Sequence, residues 1–242
     1  MVSKNQIKLI TSLQQKKYRL IHQLFIAEGV KVIQELLLSN FVLKHLYITE
    51  QLFKSVEFTK KTLISQEELN KISSLSTANN CLALFEIPKE EVMLSSPIIV
   101  ALDDVRDPGN MGTIIRLCDW FGINQIVCSL ESVDVYNPKV IQATMGSISR
   151  VNLTYLDLTT YLKEVKVPVF GAFMDGKNVY KEKLPKECVL VLGNEANGIS
   201  NEIEQMVKYK IAIPRFGELK KTESLNVATA TAIFLSEFKR ND

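Results

Sequence analysis

Residues 98–116 have the sequence IIVALDDVRDPGNMGTIIR, in which an apolar run is followed by a polar turn and an amphipathic segment. The run at Ile98–Leu102 predicts a buried strand, and the segment after the turn predicts a helix. Asn110 and Gly112 fall in the first turn of that helix, where free backbone N–H groups attract anions. Arg116 lies six residues after Asn110, so an amide and a guanidinium lie near one helix start. The junction is therefore suited to binding phosphate.

Strand and helix patterns alternate along most of the chain, which predicts an α/β fold. From residue 97 onward the alternation predicts a mostly parallel sheet covered by helices on both faces. The predicted strands of this region are 98–102, 125–128, 167–173, 189–192 and 210–213. The predicted helices of this region are 109–121, 138–145, 158–165, 201–207 and 225–238.

A segment rich in proline, serine and charge, residues 87–97, separates this sheet from a small N-terminal α/β unit. We therefore expect two domains, residues 1–90 and residues 97–242. Ser65 is a candidate N-cap for a helix of the N-terminal domain. The predicted elements of that domain are strands 24–26, 46–48 and 81–87 and helices 29–38 and 67–75.

The composition excludes several classes of protein. The 242 residues carry a net charge of +2, so any nucleic-acid binding has to come from local patches. No apolar stretch is long enough to span a bilayer, and the N-terminus lacks the apolar core of a signal peptide, so we expect a cytoplasmic protein without a membrane partner. The four scattered cysteines are predicted to be reduced core residues. The two histidines lie too far apart to suggest a metal site, which disfavours a zinc enzyme and a Ser-His-Asp hydrolase.

A second polar turn follows an apolar strand at residues 189–200, VLVLGNEANGIS. Ligands of parallel α/β sheets bind at the carboxyl ends of strands, where this turn is expected. Gly193 and Gly198 permit close backbone approach or positive φ, and Glu195 places a carboxylate directly beyond a buried strand. The alternative for this loop alone is a tight turn before a helix capped by Ser200.

A third polar turn lies within residues 211–228, IAIPRFGELKKTESLNVA. An apolar strand ends in a proline, a long polar loop follows, and a helix rich in alanine and threonine begins. Ser224 is the predicted N-cap of that helix, and Asn226 is predicted to lie in its first turn. The alternative for this stretch alone is a well-capped buried helix.

Together these turns resemble the SpoU (TrmH) family of RNA 2′-O-ribose methyltransferases, within the SPOUT superfamily. The resemblance covers the chain from about residue 97 to residue 238, and the segment QATMGS at residues 142–147 is also similar to the family. It implies a parallel α/β sheet with a deep trefoil knot, and a homodimer in which helices near the knot pack together. The motifs are Asn110-x-Gly112-x-x-x-Arg116, Gly193-Asn194-Glu195-x-x-Gly198, and Ile213-Pro214 with Ser224-Leu225-Asn226-Val227-Ala228.

The resemblance implies S-adenosylmethionine as the cofactor, bound in a bent form largely by backbone groups. The methyl group would pass to a ribose 2′-hydroxyl of RNA. Carried over position by position, the residues expected to contact the cofactor or shape its pocket are Gly193, Asn194, Ile213, Pro214 and Leu225.

The resemblance assigns the catalytic role to Arg116. It acts either as a general base or as the group that orients a phosphate and stabilises charge, since a guanidinium is effectively always protonated. Asn110, Glu195, Ser224 and Asn226 are expected to position Arg116, the ribose and the cofactor loop. We also expect Glu195 to pair with Arg116 and so fix its guanidinium.

The N-terminal unit resembles the family's substrate-binding domain, a small α/β fold similar to some RNA-binding ribosomal proteins, through residues 25–37. The first twenty residues contain five basic side chains and no acid. Neutralising phosphates needs only local charge, which makes this arm a candidate RNA contact. A solvated helix face is the alternative. The candidate RNA contacts are Lys16, Lys17 and Arg19, with Lys220 and Lys221 from the third turn, which are otherwise ordinary solvated lysines.

Other functions remain to be weighed against this one. An oxidoreductase of the Rossmann type needs a G-x-G-x-x-G turn after the first strand, and Gly109-x-x-Gly112 does not supply it. A non-catalytic RNA-binding module of the same fold is disfavoured because the set of catalytic candidates is complete. A SPOUT methyltransferase that acts on a base nitrogen is disfavoured by the pattern of Asn110 and Arg116. The additional N-terminal domain favours ribosomal RNA over transfer RNA as the substrate.

Overall fold

The computed structural model describes residues 1–88, 96–217 and 224–240, in two compact units. The first unit is formed by Met1–Glu90 and Asp134–Ser149, and the second by Glu91–Val133 and Arg150–Asp242. The strands are β1 (Leu24–Glu28), β2 (Leu43–Ile48), β3 (Lys61–Leu63), β4 (Cys81–Glu86), β5 (Ile98–Leu102), β6 (Gln125–Cys128), β7 (Asn152–Tyr155), β8 (Val169–Asn178), β9 (Cys188–Leu192) and β10 (Tyr209–Ala212). The helices are α1 (Lys4–Ser12), α2 (Lys16–His22), α3 (Val30–Leu37), α4 (Gln66–Ile72), α5 (Pro108–Trp120), α6 (Pro138–Thr144), α7 (Leu158–Glu164), α8 (Asn201–Glu204) and α9 (Val227–Lys239).

The first unit contains a four-stranded sheet with the order β1-β4-β2-β3. Strand β4 is antiparallel to β1 and β2, and β3 is parallel to β2. Ser65 caps α4 as predicted, because its Oγ accepts from the Glu68 N–H at 3.2 Å and Glu68 Oε2 accepts from the Ser65 N–H at 3.1 Å. The short elements α1, α2 and β3 were not predicted.

A buried arginine joins residues 134–149 to the first unit, whereas the sequence analysis assigned this segment to the second domain. Arg19 is 2% exposed. It donates to the carbonyls of Leu13 and Gln14 at 2.8 and 2.9 Å, and through both Nε and an η nitrogen to the Asp134 carboxylate. The Tyr136 ring packs on the Phe25 ring of β1 with a centroid distance of 5.0 Å. The segment therefore belongs to the core of the first unit.

The second unit contains a six-stranded sheet with the order β10-β8-β9-β5-β6-β7. Every pair of neighbouring strands in it is parallel, which confirms the predicted parallel α/β architecture. Strands β5 and β9 are buried along their whole length, as expected for central strands covered on both faces. Strand β7 is short, of mixed polarity and at the sheet edge, and it was not predicted from the sequence. The deep trefoil knot stays a prediction.

The register of the central strands places two of the three polar turns at one edge of the sheet. Leu102 of β5 pairs with Leu192 of β9, so the loops that follow these strands leave the sheet at the same level. The next residue, Asp103, donates its N–H to the Leu192 carbonyl at 2.9 Å. Its carboxylate accepts from the Ser200 N–H at 2.7 Å, which ties the two loops together.

All four cysteines are free and buried, which confirms that they are reduced core residues. Burial raises the pKa of the Cys81 thiol to about 11 and that of the Cys188 thiol to about 12, so both are protonated at neutral pH. Within residues 1–88, 96–217 and 224–240, no helix is long and apolar enough to cross a membrane. The same ranges contain no cluster of side chains that could hold a metal ion.

Candidate active site

The helix that follows β5 fixes the first of the predicted site residues. Asp107 is the N-cap of α5, and its Oδ1 accepts from the Asn110 N–H at 2.7 Å. Pro108 occupies the start of the helix, where its missing N–H costs no hydrogen bond. The cap therefore holds the first helical turn, with the half-buried Asn110 side chain, at the carboxyl edge of the sheet.

A continuous chain of hydrogen bonds links the three sequence motifs. Asn226 Nδ2 donates to Asn110 Oδ1 at 2.8 Å, and Asn110 Nδ2 donates to Glu195 Oε1 at 2.9 Å. These three residues are separated by 85 and 116 positions in the sequence. Because Asn110 uses its oxygen on one side and its nitrogen on the other, the orientation of its amide is fixed. The predicted grouping of Asn110, Glu195 and Asn226 is therefore present.

The loop after β9 is closed tightly on itself. A Cβ added at Gly193 would lie 2.2 Å from the Gly198 carbonyl carbon and from the Ile199 nitrogen, so no side chain fits there. Asn194 and Gly198 exchange two backbone hydrogen bonds of 2.9 Å, and Gly198 has a φ of +70°. The Asn194 side chain accepts from two backbone N–H groups of the loop and donates to the Asp104 carbonyl at 2.7 Å. The loop is consequently rigid and anchored to the one after β5.

A cavity of about 620 Å³ lies against this loop. Its volume is within the usual range for small-molecule sites. All five residues predicted to contact the cofactor or shape its pocket line it, and so do the predicted catalytic residues Glu195, Ser224 and Asn226. The lining consists of residues 172–174, 192–198, 213–215 and 224–227 with Ala230 and Phe234.

The lining fits S-adenosylmethionine in its chemistry. Apolar side chains such as Ile213, Leu225 and Phe234 provide surface for an adenosyl group, and the loop after β9 provides backbone donors and acceptors. Glu195 and Asn226 provide polar side chains at the same cavity. A few polar groups in a mostly apolar cleft are typical of cofactor sites.

Comparison with known proteins establishes the family. The model of the SpoU rRNA Methylase family matches residues 97–236. The chain belongs to this family. The model of the MRM3-like substrate binding domain matches residues 4–83, so the family resemblance extends to the N-terminal region.

Relatives of this SpoU family member match over nearly the whole chain. It is 27% identical to the 23S rRNA (guanosine(2553)-2′-O)-methyltransferase RlmP of Bacillus subtilis, with 96% of each chain covered. A solved structure of a TrmH-family protein from Porphyromonas gingivalis is 38% identical, with a TM-score of 0.89 and 100% of both chains covered. An AdoMet-bound rRNA methyltransferase from Sinorhizobium meliloti is 27% identical, with a TM-score of 0.87 over 100% of this chain and 97% of that one.

Arg116 is separate from the chain of hydrogen bonds in this SpoU domain. The residue is exposed on α5, and no residue within the described parts of the chain forms a hydrogen bond or ion pair with its guanidinium. Six residues along an α-helix correspond to about 600°, so Arg116 projects roughly 120° away from Asn110 around the axis. The expected pairing of Glu195 with Arg116 is wrong, because the oxygen of Glu195 that is bonded accepts from Asn110 instead.

The start of α9 differs from the prediction by two residues. Asn226, not Ser224, is the N-cap, and its Oδ1 accepts from the Ala228 and Thr229 N–H groups at 3.0 and 3.1 Å. Ser224 is exposed and lies two positions before the cap, where it lines the cavity. Serine and asparagine are about equally good N-caps, so the sequence did not distinguish them.

Two parts of the site were missed in the sequence. Residues 172–174 of β8 line the cavity. They could have been predicted, because the strand predicted at 167–173 ends at the same edge of the sheet as the polar turns. Asp104 has a φ of +57° and binds Asn194 through its carbonyl and Ser129 Oγ through its N–H. The sequence feature that could have predicted this role is the pair of aspartates directly after a buried strand. Aspartate tolerates positive φ better than most residues, so such a pair is compatible with a tight turn.

The predicted RNA contacts have three different outcomes. Lys16 and Lys17 are exposed at the start of α2. The prediction for Arg19 is wrong, because this side chain is buried and its guanidinium is bound within the first unit. Lys220 and Lys221 lie outside the described residues.

Proposed function

We propose that this chain is an S-adenosylmethionine-dependent methyltransferase that methylates a ribose 2′-hydroxyl of ribosomal RNA. One observation supports the proposal most strongly. The Asn226–Asn110–Glu195 chain of hydrogen bonds joins three motifs at the cavity whose lining includes every predicted cofactor residue. Family membership and the AdoMet-bound structure of a similar rRNA methyltransferase support the cofactor and the reaction.

The residues of the chain have two tasks in this reaction. S-adenosylmethionine, when bound, supplies a methyl group on a sulfonium, which is already activated for transfer. The protein has to align the 2′-oxygen with this methyl group and to favour the loss of the hydroxyl proton. Asn110 holds one oxygen of Glu195, which leaves the other able to accept a hydrogen bond from a ribose hydroxyl. The role of Glu195 is then to position the nucleophile and to take up the hydroxyl proton as the new carbon–oxygen bond forms.

Arg116 acts on the RNA side of the site in this proposal. Its guanidinium is exposed and carries a delocalised positive charge, so it can bind a phosphate and stabilise negative charge that develops on the 2′-oxygen. Substrate RNA brings the phosphate, so the final geometry of Arg116 forms only in the complex. We assign it the stabilising role because a protonated guanidinium is a poor proton acceptor.

Ribosomal RNA is the proposed substrate because of the N-terminal region. The MRM3-like substrate binding domain matches residues 4–83, and the relative from Bacillus subtilis that covers 96% of this chain acts on 23S rRNA by its name. We propose that this region binds the RNA and that Lys16 and Lys17 contact its phosphates. A cytoplasmic location stays a prediction.

We also propose that the chain forms a homodimer. Thr113, Arg116 and Trp120 are spaced to lie on one exposed face of α5, and Trp120 is 84% exposed. A large apolar side chain on an open helix face is suited to contact a second copy. Light scattering of the purified chain should give twice the mass of one chain, and a monomer would contradict the proposal.

Methyl transfer to defined RNAs tests the proposed function. The purified chain is incubated with radiolabelled S-adenosylmethionine and unmodified transcripts of ribosomal or transfer RNA, and the digested nucleosides are identified by mass spectrometry. We expect a 2′-O-methylnucleoside from ribosomal RNA and roughly 10²–10³-fold slower formation of it in an Arg116→Ala reaction. A methylated base, or labelling of transfer RNA alone, would contradict the proposal. Calorimetry that detects no cofactor binding would favour the non-catalytic module instead.

A further inference from the structure

Two aromatic rings pack together next to the cavity, although neither lines it. The Phe216 and Tyr180 rings have a centroid distance of 6.5 Å and an angle of 28° between their planes. Tyr180 is half-buried, whereas Phe216 is 81% exposed. The cavity wall includes Pro214 and Arg215, the two residues before Phe216, but not Phe216 itself. The phenyl ring is therefore placed beside the proposed cofactor site without facing it.

Paired strands bring the two rings to the same end of the sheet. Lys177 and Asn178 at the end of β8 pair with Ile211 and Ala212 of β10. Immediately after this pairing, β8 leads into a short 3-10 turn that contains Tyr180 and is capped by Asn178, whose Oδ1 accepts from the Tyr180 N–H at 3.0 Å. Strand β10 ends at Ala212, and Phe216 follows it in the loop, directly after the cavity-lining residues 213–215. The turn and the loop that carry the rings therefore both start from paired strand ends.

Positive charge accompanies the rings. Residues 174–186 contain four lysines and two acidic residues, which gives a net charge of +2, and all four lysines are exposed. Arg215 adds a further cation next to Phe216. Protein interfaces are depleted in lysine, whereas lysines beside an exposed aromatic ring are typical of surfaces that bind single-stranded nucleic acid. The four lysines are Lys177, Lys181, Lys183 and Lys186.

We propose that Phe216, backed by Tyr180, stacks on an unpaired base of the RNA substrate beside the nucleotide to be methylated. The inference rests on the proposed function, because it assumes that RNA reaches the neighbouring cavity. Proteins recognise unpaired RNA bases by stacking them on aromatic side chains. The half-buried Tyr180 ring limits the movement of Phe216, and the lysines attract the phosphates on either side of the stacked base.

Binding of a single-stranded RNA decamer to the full chain tests the inference by fluorescence anisotropy. Loss of one stacked base corresponds to about fivefold to 150-fold weaker binding, which is the expected effect of Phe216→Ala. Phe216→Trp should bind as the wild type does, and Phe216→Leu should bind as Phe216→Ala does, because leucine is apolar but has no ring. A decamer of abasic residues should bind equally to all four proteins. S-adenosylmethionine affinity should not change.

Leu130 provides a control within the same unit, because it is an apolar side chain that is 59% exposed. Leu130→Ala should leave decamer affinity unchanged, and an equal loss there would overturn a defined stacking position. Equal binding by Phe216→Ala and the wild type, or a change of oligomeric mass in Phe216→Ala, would also overturn the inference. The assay involves no methyl transfer. If the decamer binds as expected but the wild-type chain methylates no ribose, the proposed function is overturned and the stacking position is not.

Discussion

Two arginines that lie on helices of the two units have opposite surroundings. Arg19 on α2 is 2% exposed, and its guanidinium donates to two backbone carbonyls and to the Asp134 carboxylate. Arg116 on α5 is exposed, and within the described part of the chain nothing binds its guanidinium. The donors of Arg19 are occupied in maintaining the fold, whereas those of Arg116 are available to a phosphate.

The comparison separates structural from functional basic residues. A guanidinium has five N–H donors and cannot be deprotonated in proteins, so a buried one requires several acceptors. Arg19 has these acceptors, and it can leave the core only by breaking them. Arg116 is exposed and requires no acceptor from the protein. An unoccupied guanidinium of this kind is expected of a group that binds its partner only when the substrate is present. The same residue type therefore has two roles that its neighbours determine.

Replacing Arg19 should have the largest effect on stability. Arg19→Ala removes one partner of a buried ion pair and leaves Oδ2 of Asp134 and two carbonyls without their donor, which costs about 3–5 kcal/mol. Thermal or denaturant unfolding of the full chain measures this loss. Arg106→Ala is the control, because the pair of Arg106 with Asp104 is on the surface and contributes about 0–1 kcal/mol. Equal stability losses in the two variants would contradict a structural role for Arg19.

Replacing Arg116 should lower the catalytic rate and leave the stability unchanged. Arg116→Ala should lower methyl transfer roughly 10²–10³-fold, the range for removing one group that stabilises developing charge. The unfolding midpoint and the affinity for S-adenosylmethionine should stay unchanged, because the side chain has no partner in the described residues and does not line the cavity. Single-turnover kinetics and calorimetry make these measurements. A variant with full activity would remove Arg116 from the mechanism.

The comparison of the two arginines also shows which features could be predicted from the sequence. Residues 98–116 predicted strand β5, the polar turn and helix α5, because an apolar run and apolar periodicity are local signals. The burial of Arg19 depends on Asp134, which is 115 positions away. No local pattern reports such a contact, so an acid-free basic stretch was interpreted as an RNA-binding arm.

The same limit applies within the site. The motif residues and the five cofactor residues of the lining were predicted because the family resemblance fixes them position by position. The partner of Glu195 was predicted incorrectly, because the choice between Asn110 and Arg116 depends on which face of α5 meets the loop after β9. That orientation is set by the packing of the helix on the sheet, which sequence spacing does not determine.

Glycine 193 extends the comparison from side chains to the backbone. Gly193→Ala places a Cβ about 2.2 Å from backbone atoms that cannot move independently, so the loop after β9 has to shift. We expect a loss of about 1–3 kcal/mol in stability, as for overpacking, and weaker binding of S-adenosylmethionine. Gly217→Ala is the control, since a Cβ there meets no atom of residues 1–88, 96–217 or 224–240 within 4 Å. Calorimetry should separate the two variants, and unchanged cofactor affinity in Gly193→Ala would contradict a tightly closed loop.

Asn226 combines the two roles that the arginines keep apart, and two variants can separate them. Its Oδ1 caps α9, and its Nδ2 donates to Asn110. Asn226→Ala loses both and should cost about 0.5–2 kcal/mol of stability. Asn226→Asp keeps a capping oxygen but loses the donor, so stability should be retained while the catalytic rate falls by up to about tenfold, equivalent to one hydrogen bond.

A rotation of the Asn110 amide does not restore the contact in Asn226→Asp. Rotation would turn the Asn110 nitrogen toward the new carboxylate, but it would also point the Asn110 oxygen at Glu195 and lose that bond. Two carboxylates at the ends of the chain cannot both be satisfied by one amide in this arrangement. If Asn226→Asp and the wild type have equal rates and equal unfolding midpoints, the role of Asn226 is to cap α9, and its hydrogen bond to Asn110 does not contribute to catalysis.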